Sequence, residues 1–211
     1  MQIEIENHQF RLLPEKAIFW KTRKTLLIGD LHLGKITHFR NAGIAVPSRA
    51  YRNNFERMEH LILHNDAERI ILLGDLFHNV YNAEWELFAN WRRKFHSIEI
   101  IIVLGNHDIL PYDLFEEINI MVEDYWQEDN FIFLHHPVEH PETNYVFCGH
   151  VHPVYCLRSR MQSIKLPCFI VDDNQTILPS FGVFTGGYEM KKRAGRKIYL
   201  IGDGEVVEVG T

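Results

Sequence analysis

The most constraining feature of this sequence is a continuous apolar run that ends in Gly-Asp-Leu, with a histidine close behind, and it occurs twice. The first copy is TLLIGDLHLG, residues 25–34, and the second is RIILLGDLFHN, residues 69–79. An unbroken aliphatic run of this length predicts a strand that is buried on both faces. Each strand would then deliver a carboxylate and an imidazole to its carboxyl end.

Three more apolar runs end in polar clusters of the same kind. These clusters are GNHD at 105–108, LHHP at 134–137 and GHVHP at 149–153. In open α/β sheets, ligand sites lie just beyond the carboxyl ends of the strands, so we expect the five clusters to converge. The side chains that would meet there are Asp30, His32, Asp75, Asn106, His135, His150 and His152.

This set offers oxygen and nitrogen ligands and no thiolate. Such ligands suit Mn²⁺, Fe or Zn²⁺ better than a structural zinc site of the cysteine type. Seven ligands exceed the needs of one ion and fit two ions that share a bridging carboxylate. Two cations that share a bridging carboxylate lie ~3.5–4 Å apart, and such a pair can clamp the oxygens of a phosphate diester and activate a water for attack.

Composition narrows the class of protein. Of the 211 residues, 46% are hydrophobic and 24% are charged, which is typical of globular proteins, and we expect a single domain over residues 1–211. No apolar run approaches the ~20 residues that span a bilayer. The N-terminus alternates charged and apolar residues, unlike a signal peptide, so we expect a cytoplasmic protein without a membrane partner. The three cysteines have no paired spacing and are predicted to be buried and unpaired.

Helical periodicity appears between the early strands. Apolar spacing predicts a helix after Pro47 and Ser48, with the apolar face Tyr51, Phe55, Met58, Leu61 and Ile62. A second helix is predicted over 83–95, with Trp85, Phe88, Trp91 and Phe95 on one face. Strands dominate the second half, including VFTGG at 183–187. Alternating elements early and strands late predict an α/β fold with two facing mixed sheets and helices outside.

The ordered series D-x-H, G-D-x-x-H, G-N-H-D, H and G-H-x-H resembles that of the calcineurin-like metallophosphoesterases, over about residues 25–153. The resemblance implies a four-layer α-β-β-α sandwich, with two mixed sheets flanked by helices and a dinuclear site at the carboxyl ends of the strands. It implies that one metal is held by Asp30, His32, Asp75 and His152. The other would be held by Asp75, Asn106, His135 and His150, with His136 as the alternative to His135.

The same resemblance implies roles for three further side chains. His107 of GNHD would sit near the leaving oxygen, and Asp108 would orient it. Position 78 distinguishes the branches of the superfamily. Protein phosphatases carry G-D-x-x-D-R-G there, whereas this chain has GDLFHN, and His78 resembles the nuclease branch, which makes it a candidate catalytic residue.

Longer segments, both within and beyond the metal motifs, narrow the resemblance further. DLHLGK (30–35), FRNAGIAVP (39–47) and LPSFGVFTGG (178–187) are similar to those of the ligase-associated DNA damage response endonuclease (PdeM) family. That resemblance implies Mn²⁺-dependent phosphodiesterase and DNA endonuclease activity, with Fe, Zn²⁺ or Mg²⁺ as alternative metals. It also implies a functional association with a DNA ligase, a helicase and an exonuclease.

The formal net charge of −6 counts against a broad nucleic-acid surface, since such surfaces are usually basic. A smaller basic group, Lys35, Arg40 and Arg49, follows the first metal motif and is predicted to face the phosphates of the substrate. The alternative function is a phosphodiesterase or pyrophosphatase acting on small nucleotides. A catalytically inactive scaffold is a third reading, and the complete set of ligand positions argues against it.

Overall fold

The structure is a computed structural model that describes residues 1–34, 49–77, 83–139, 141, 143–159, 162–183 and 185–210, with only the backbone at residues 49–52 and 83. Its first sheet has seven strands in chain order: β1 (Gln2–Ile5), β2 (His8–Leu13), β3 (Ala17–Trp20), β4 (Thr25–Gly29), β5 (Arg69–Leu73), β6 (Glu99–Val103) and β7 (Met121–Glu123). Strands β1 to β4 pair antiparallel, and β4 to β7 pair parallel. The sheet is therefore mixed.

The register of the parallel strands aligns their carboxyl ends. Gly29 at the end of β4 lies opposite Leu73 of β5, and Leu73 lies opposite Val103 of β6. The polar clusters that follow these three strands consequently start at one edge of the sheet.

The second sheet comprises β8 (Trp126–Glu128), β9 (Phe131–Phe133), β10 (Tyr145–Cys148), β11 (Pro153–Arg158), β12 (Ser163–Val171), β13 (Gln175–Ile177), β14 (Tyr188–Glu189), β15 (Lys197–Gly202) and β16 (Glu205–Glu208). The main path runs β14-β11-β12-β13-β10-β9-β8, while β15 pairs with both β12 and β16. Strands β9, β10 and β13 are parallel, so the LHHP and GHVHP clusters also leave one edge together.

The two sheets face each other across a shared apolar core. Along β5, Ile71 and Leu73 point into this core, while Ile70 and Leu72 join the cluster on the opposite face. Because both faces are covered, the strand is an unbroken apolar run rather than an alternating one. The second sheet contributes Phe133 and Phe147 to the shared core, with ring centroids 5.6 Å apart.

Helices α1 (Arg49–Asn65), α2 (Ala83–Lys94) and α3 (Tyr112–Glu116) cover the other face of the first sheet, where Met58, Trp85 and Phe115 are buried. The predicted fold class, α/β with two mixed sheets, is confirmed. One layer differs from the expectation. Within the described ranges, loop residues such as Val138 and Met190, rather than a helix, pack on the outer face of the second sheet, because that half of the chain lacks helical periodicity.

Three short strands were not predicted, and one predicted strand is not found at its described residues. Strands β8, β13 and β14 were not expected from the sequence. A strand was expected at VFTGG, but Thr185, Gly186 and Gly187 form no strand. The three cysteines are buried and free, as predicted. No helix in the described part of the chain is both long and apolar enough to cross a membrane.

Candidate metal centre

The backbone takes an unusual conformation at the predicted ligands. Five of them have a left-handed φ between 50° and 65°: Asp30, His32, Asp75, His150 and His152. Residues other than glycine rarely adopt this region, and it persists where surrounding bonds enforce it. Here the His32 N–H donates to the Asp75 carbonyl at 2.9 Å, and the His150 N–H donates to the Asp30 carboxylate at 2.9 Å. The loops therefore hold one another in place.

The glycines of the motifs leave room for this interlocking. A Cβ atom on Gly105 would lie 2.3 Å from the backbone nitrogen of Asp75, and one on Gly149 would lie 2.5 Å from Oδ2 of Asp30. Both distances are too short for any side chain. Glycine in GNHD and GHVHP is thus required by close backbone approach to the two carboxylates.

A first group of ligand atoms is formed by Asp30, His32 and His152, all within 4.8 Å of one another. The His152 Nε2 atom lies 3.2 Å from Asp30 Oδ1 and 3.3 Å from His32 Nε2. The other ring nitrogen, Nδ1, is 3.2 Å from the Gly186 carbonyl. A carbonyl can only accept, so Nδ1 carries a proton, which makes Nε2 the ring atom that is available to bind a cation.

A second group is formed by His135, His136 and His150, again within 4.8 Å. The His135 Nε2 atom lies 3.1 Å from both Asn106 Oδ1 and His150 Nδ1. Its Nδ1 donates to the Leu73 carbonyl at 2.9 Å. Because this bond places a proton on Nδ1, the Nε2 atom of His135 is the one that faces the centre and can bind a cation.

Asp75 links the two groups. Its Oδ1 atom lies 3.5 Å from His135 Nε2, and its Oδ2 atom lies 3.9 Å from His32 Nε2. Asp30, Asp75 and His135 also form a third set of ligand atoms within 4.8 Å. One oxygen of the Asp75 carboxylate thus faces each group, which is the geometry that a shared ligand needs. All seven predicted ligands converge.

Orientation and burial favour His135 over His136 as the metal ligand. Both rings lie near His150, with centroids 4.9 Å and 4.1 Å away. His135 is buried and fixed by Leu73, whereas His136 is exposed. Partial desolvation by the neighbouring residues and, second, the charge of His135 lower the pKa of His136, and partial desolvation likewise lowers the pKa of His150. Neutral rings are the form that binds metals.

His107 and Asp108 lie beside the centre. The His107 N–H donates to Asp75 Oδ1 at 3.0 Å, and its ring centroid is 6.1 Å from that of His32. The Asp108 carboxylate accepts from the N–H groups of Phe77 at 3.0 Å and Gly105 at 2.9 Å. Burial raises the pKa of Asp108, and these two bonds oppose the rise. Asp108 therefore ties two loops together, and its predicted role in orienting His107 stays a prediction.

Four predicted residues cannot be placed. His78, Lys35 and Arg40 lie outside the described residues, and Arg49 is described only as the first backbone position of α1. Their predicted catalytic and substrate-binding roles stay predictions.

Several groups that support the ligands were not expected from the sequence. Ser180 Oγ and the Gly182 N–H donate to the Asp30 carbonyl at 2.9 and 3.0 Å, and Gly186 orients His152. The buried Glu84 accepts from the Gly34 N–H at 2.5 Å. Glycines clustered in LPSFGVFTGG were the available signal, because backbone groups can approach a site closely only where side chains are small.

Comparison with known proteins agrees with this geometry. A family model described as calcineurin-like phosphoesterase matches residues 23–170. The crystal structure of the Pseudomonas putida nuclease MPE is similar over 99% of both chains, with a TM-score of 0.85 and 32% sequence identity.

Two further solved structures are more distant. A phosphoesterase from E. coli, Yfce, has a TM-score of 0.47 and 15% identity over 88% of this chain and 97% of its own. A protein of unknown function from Aquifex aeolicus has a TM-score of 0.45 and 16% identity, over 61% and 78%. No protein with a curated description matches the sequence.

The family match covers most of the chain, and the metal-binding motifs that define the predicted centre fall inside the matched residues. The chain belongs to the calcineurin-like phosphoesterase family and is a hydrolase that acts on phosphoester bonds.

Proposed function

We propose that this chain is a phosphodiesterase with a dinuclear metal centre that cuts DNA strands internally and serves in DNA repair. The observation that carries the proposal is the Asp75 carboxylate, which faces one ligand group with each of its oxygens. The similarity to the P. putida nuclease over 99% of both chains supports a nucleic-acid substrate.

The donors fit divalent metals. They combine carboxylates, an amide oxygen and imidazoles, which suit Mn²⁺, Fe, Zn²⁺ or Mg²⁺, and the resemblance to a Mn²⁺-dependent family makes Mn²⁺ the first choice. When bound, such a pair of cations supplies positive charge for the phosphate oxygens and activates a water. Asp30, His32 and His152 would hold one ion, Asn106, His135 and His150 the other, and Asp75 both.

Backbone contacts within the chain fix the tautomer and the orientation of two of the histidine ligands. The carbonyls of Gly186 and Leu73 hold the protons of His152 and His135 on Nδ1. Each ring is thereby fixed in one tautomer and one orientation before any cation arrives. Such supporting contacts commonly raise metal affinity or activity 10–100-fold.

His107 is placed to serve the leaving oxygen. Its backbone is pinned to Asp75 at 3.0 Å, and its half-buried ring lies beside the first ligand group without belonging to any of the three sets. An imidazole there can donate a proton to the departing oxygen or stabilise its charge, a contribution of about 10²–10⁴-fold.

The remaining assignments rest on sequence. We propose that Lys35, Arg40 and Arg49 contact substrate phosphates, that His78 assists catalysis, and that residues 1–211 form one cytoplasmic domain. Functional association with a DNA ligase, a helicase and an exonuclease belongs to the same proposal.

A second candidate is a phosphodiesterase or pyrophosphatase for small nucleotides. The net charge of −6 favours it, because a small substrate needs no extended basic surface, whereas affinity for DNA grows with the number of phosphates neutralised.

The test is a substrate panel with Mn²⁺: circular single-stranded DNA, linear DNA, cyclic nucleotides, an aryl diester and an aryl monoester. We expect cleavage of the circle, which only an internal cut can open, and a preference for the diester over the monoester. Asp75→Asn should abolish cleavage of both the circular DNA and the aryl diester. Asp129→Asn is the matched control, because Asp129 is also in a left-handed conformation, and among the described residues its carboxylate pairs with Arg23 alone. Turnover of cyclic nucleotides with an intact circle would support the second candidate instead.

A further inference from the structure

The turn between β2 and β3 lies at the same end of the first sheet as the metal centre. Strand β3 runs antiparallel to β4, and Ala17 lies opposite Ile28. Lys16 precedes Ala17 and has a left-handed backbone conformation, with φ 68°. It therefore lies next to the end of β4 from which Asp30 emerges.

Arg57 of α1 joins this turn to the backbone of the centre. Its Nη2 atom donates to the carbonyls of Glu15 at 2.8 Å and Phe181 at 3.0 Å, and its guanidinium carbon lies 3.8 Å from the centroid of the Phe181 ring. The Phe181 N–H in turn donates to the Gly29 carbonyl at 2.8 Å. Arg57 is thus connected through a single residue to the strand end that carries Asp30.

Positive charge accumulates here without a direct ion pair among the described residues. Among the described residues, no carboxylate lies within 4.0 Å of the charged groups of Lys16 or Arg57. Both side chains are half-buried. Burial and, second, the charge of Arg57 lower the pKa of Lys16 to about 8, and burial lowers the pKa of Arg57 to about 10. Glu15 is the acid that acts on Arg57, and it only partly offsets the burial.

Arg57 retains donors for a ligand. A guanidinium has five N–H groups, and both bonds to carbonyls use Nη2. The donors on Nη1 and Nε have no bond among the described residues. Together with the ammonium of Lys16, they suit an oxyanion with several acceptor oxygens, and phosphate is the oxyanion that recurs in every nucleotide of a DNA strand.

We propose that Lys16 and Arg57 form a subsite for a second phosphate of the substrate strand, next to the phosphate at the metal centre. The inference rests on the proposed function and deepens it. It predicts a preference for substrates with at least two phosphates, and it explains how an acidic protein selects a strand without a broad basic surface.

The test compares dinucleotides that differ by one phosphate, TpT against pTpT and TpTp, with Mn²⁺. For the native enzyme, we expect the added phosphate at one of the two ends to raise kcat/KM about tenfold or more, mainly through KM, since one hydrogen bond to a charged group is worth at least about that factor. Lys16→Gln should lower this ratio of kcat/KM values to about one. Lys16→Arg keeps the charge and should restore most of it.

Lys21→Gln is the matched control. Lys21 follows the other end of β3, away from the centre, where its Nζ atom donates to Gln9 at 3.3 Å. Arg57→Lys, checked by its thermal midpoint because the arginine also ties α1 to the turn, should lower the ratio partly. An unchanged ratio in Lys16→Gln, or an equal drop in Lys21→Gln, would overturn the subsite.

The two proposals fail differently. If the circle is cut and the dinucleotides are cleaved with an unchanged ratio, only the subsite is wrong. If the aryl diester is cleaved but no DNA or dinucleotide is, the proposed nuclease function is wrong, and the subsite is rejected with it.

Discussion

At the scale of single residues, the candidate centre is built from strained positions that brace one another. A left-handed conformation costs a non-glycine residue ~1–2 kcal/mol, and Asp30, Asp75 and His152 are among the ligands that adopt it. The Asp75 carboxylate also accepts from the His107 N–H, and the Asp30 carboxylate from the His150 N–H. These bonds offset the strain and fix the oxygens before metal binds.

The first prediction concerns Gly105, which lies against Asp75. We expect Gly105→Ala to lower Mn²⁺ affinity at least tenfold, because the new methyl group would lie 2.3 Å from both the backbone nitrogen and Oδ1 of Asp75. Calorimetric titration with Mn²⁺ measures this. Gly210→Ala is the control, since nothing lies within 4 Å of a Cβ there. Equal affinities in the two variants would show that the close approach at Gly105 is not what positions Asp75.

The second prediction concerns His107 as the proton donor. His107→Ala should slow a diester with a poor leaving group about 10²-fold or more, and an aryl diester far less, because an aryl oxide needs little protonation. Steady-state rates on both substrates decide this. Equal losses, accompanied by weaker Mn²⁺ binding, would assign His107 to metal binding or to structure instead.

At the scale of elements, an ion cluster fixes the far end of the second sheet. Asp172, at the end of β12, accepts from Arg196 Nε at 2.8 Å, Arg196 Nη2 at 2.7 Å and Arg193 Nη2 at 2.6 Å. The side chains of Asp172 and Arg196 are each 9% exposed, whereas that of Arg193 is 59% exposed. Burial alone would raise the pKa of Asp172, but the bonds and charges of the two arginines outweigh it, and the pKa is lowered.

The third prediction follows from that asymmetry. Arg196→Gln should reduce the free energy of unfolding by about 3 kcal/mol, since it leaves a buried carboxylate with one exposed partner. Arg193→Gln should reduce it by less than ~1 kcal/mol. Urea denaturation at pH 7 measures the free energy of unfolding of both variants. Equal losses would show that burial of the arginine does not determine how much its ion pair with Asp172 stabilises the fold.

The pH dependence has a definite sign. A lowered pKa in the folded state means that Asp172 stabilises the fold above its unfolded pKa of about 3.9. This contribution is lost as the pH falls through the lower folded value. The difference between the native protein and Arg196→Gln should therefore shrink below about pH 4.

How far the sequence predicts each element depends on what covers it. Strands β4, β5 and β6 were predictable because burial on both faces demands unbroken aliphatic runs. Strand β13, with the sequence Gln-Thr-Ile, carries no such signal, and its pairing with β10 and β12 is decided by tertiary contacts. The glycines of VFTGG resembled a strand ending, yet Gly186 serves to orient His152.

The predictability of the site follows the same logic. Convergence of the ligands was predictable because parallel strands align their carboxyl ends. The tautomers of His135 and His152 were not, since they depend on the backbone carbonyls of Leu73 and Gly186, which lie far away in the sequence.

At the scale of the whole molecule, two sheets bring their carboxyl ends to one place. The first sheet supplies Asp30 and Asp75, and the second supplies His135, His150 and His152. A net charge of −6 over the chain is compatible with an electropositive centre, because two divalent ions, once bound, would outweigh the two carboxylates that hold them. Positive charge would then be concentrated at the proposed site of phosphodiester cleavage.

The most direct test of the central claim, that these loops form one dinuclear centre bridged by Asp75, is calorimetric titration of the metal-free chain with Mn²⁺. We predict two Mn²⁺ ions per chain, and at most one bound with comparable affinity by Asp75→Asn. A stoichiometry of one in the native chain, or two ions bound with unchanged affinity by Asp75→Asn, would contradict the account.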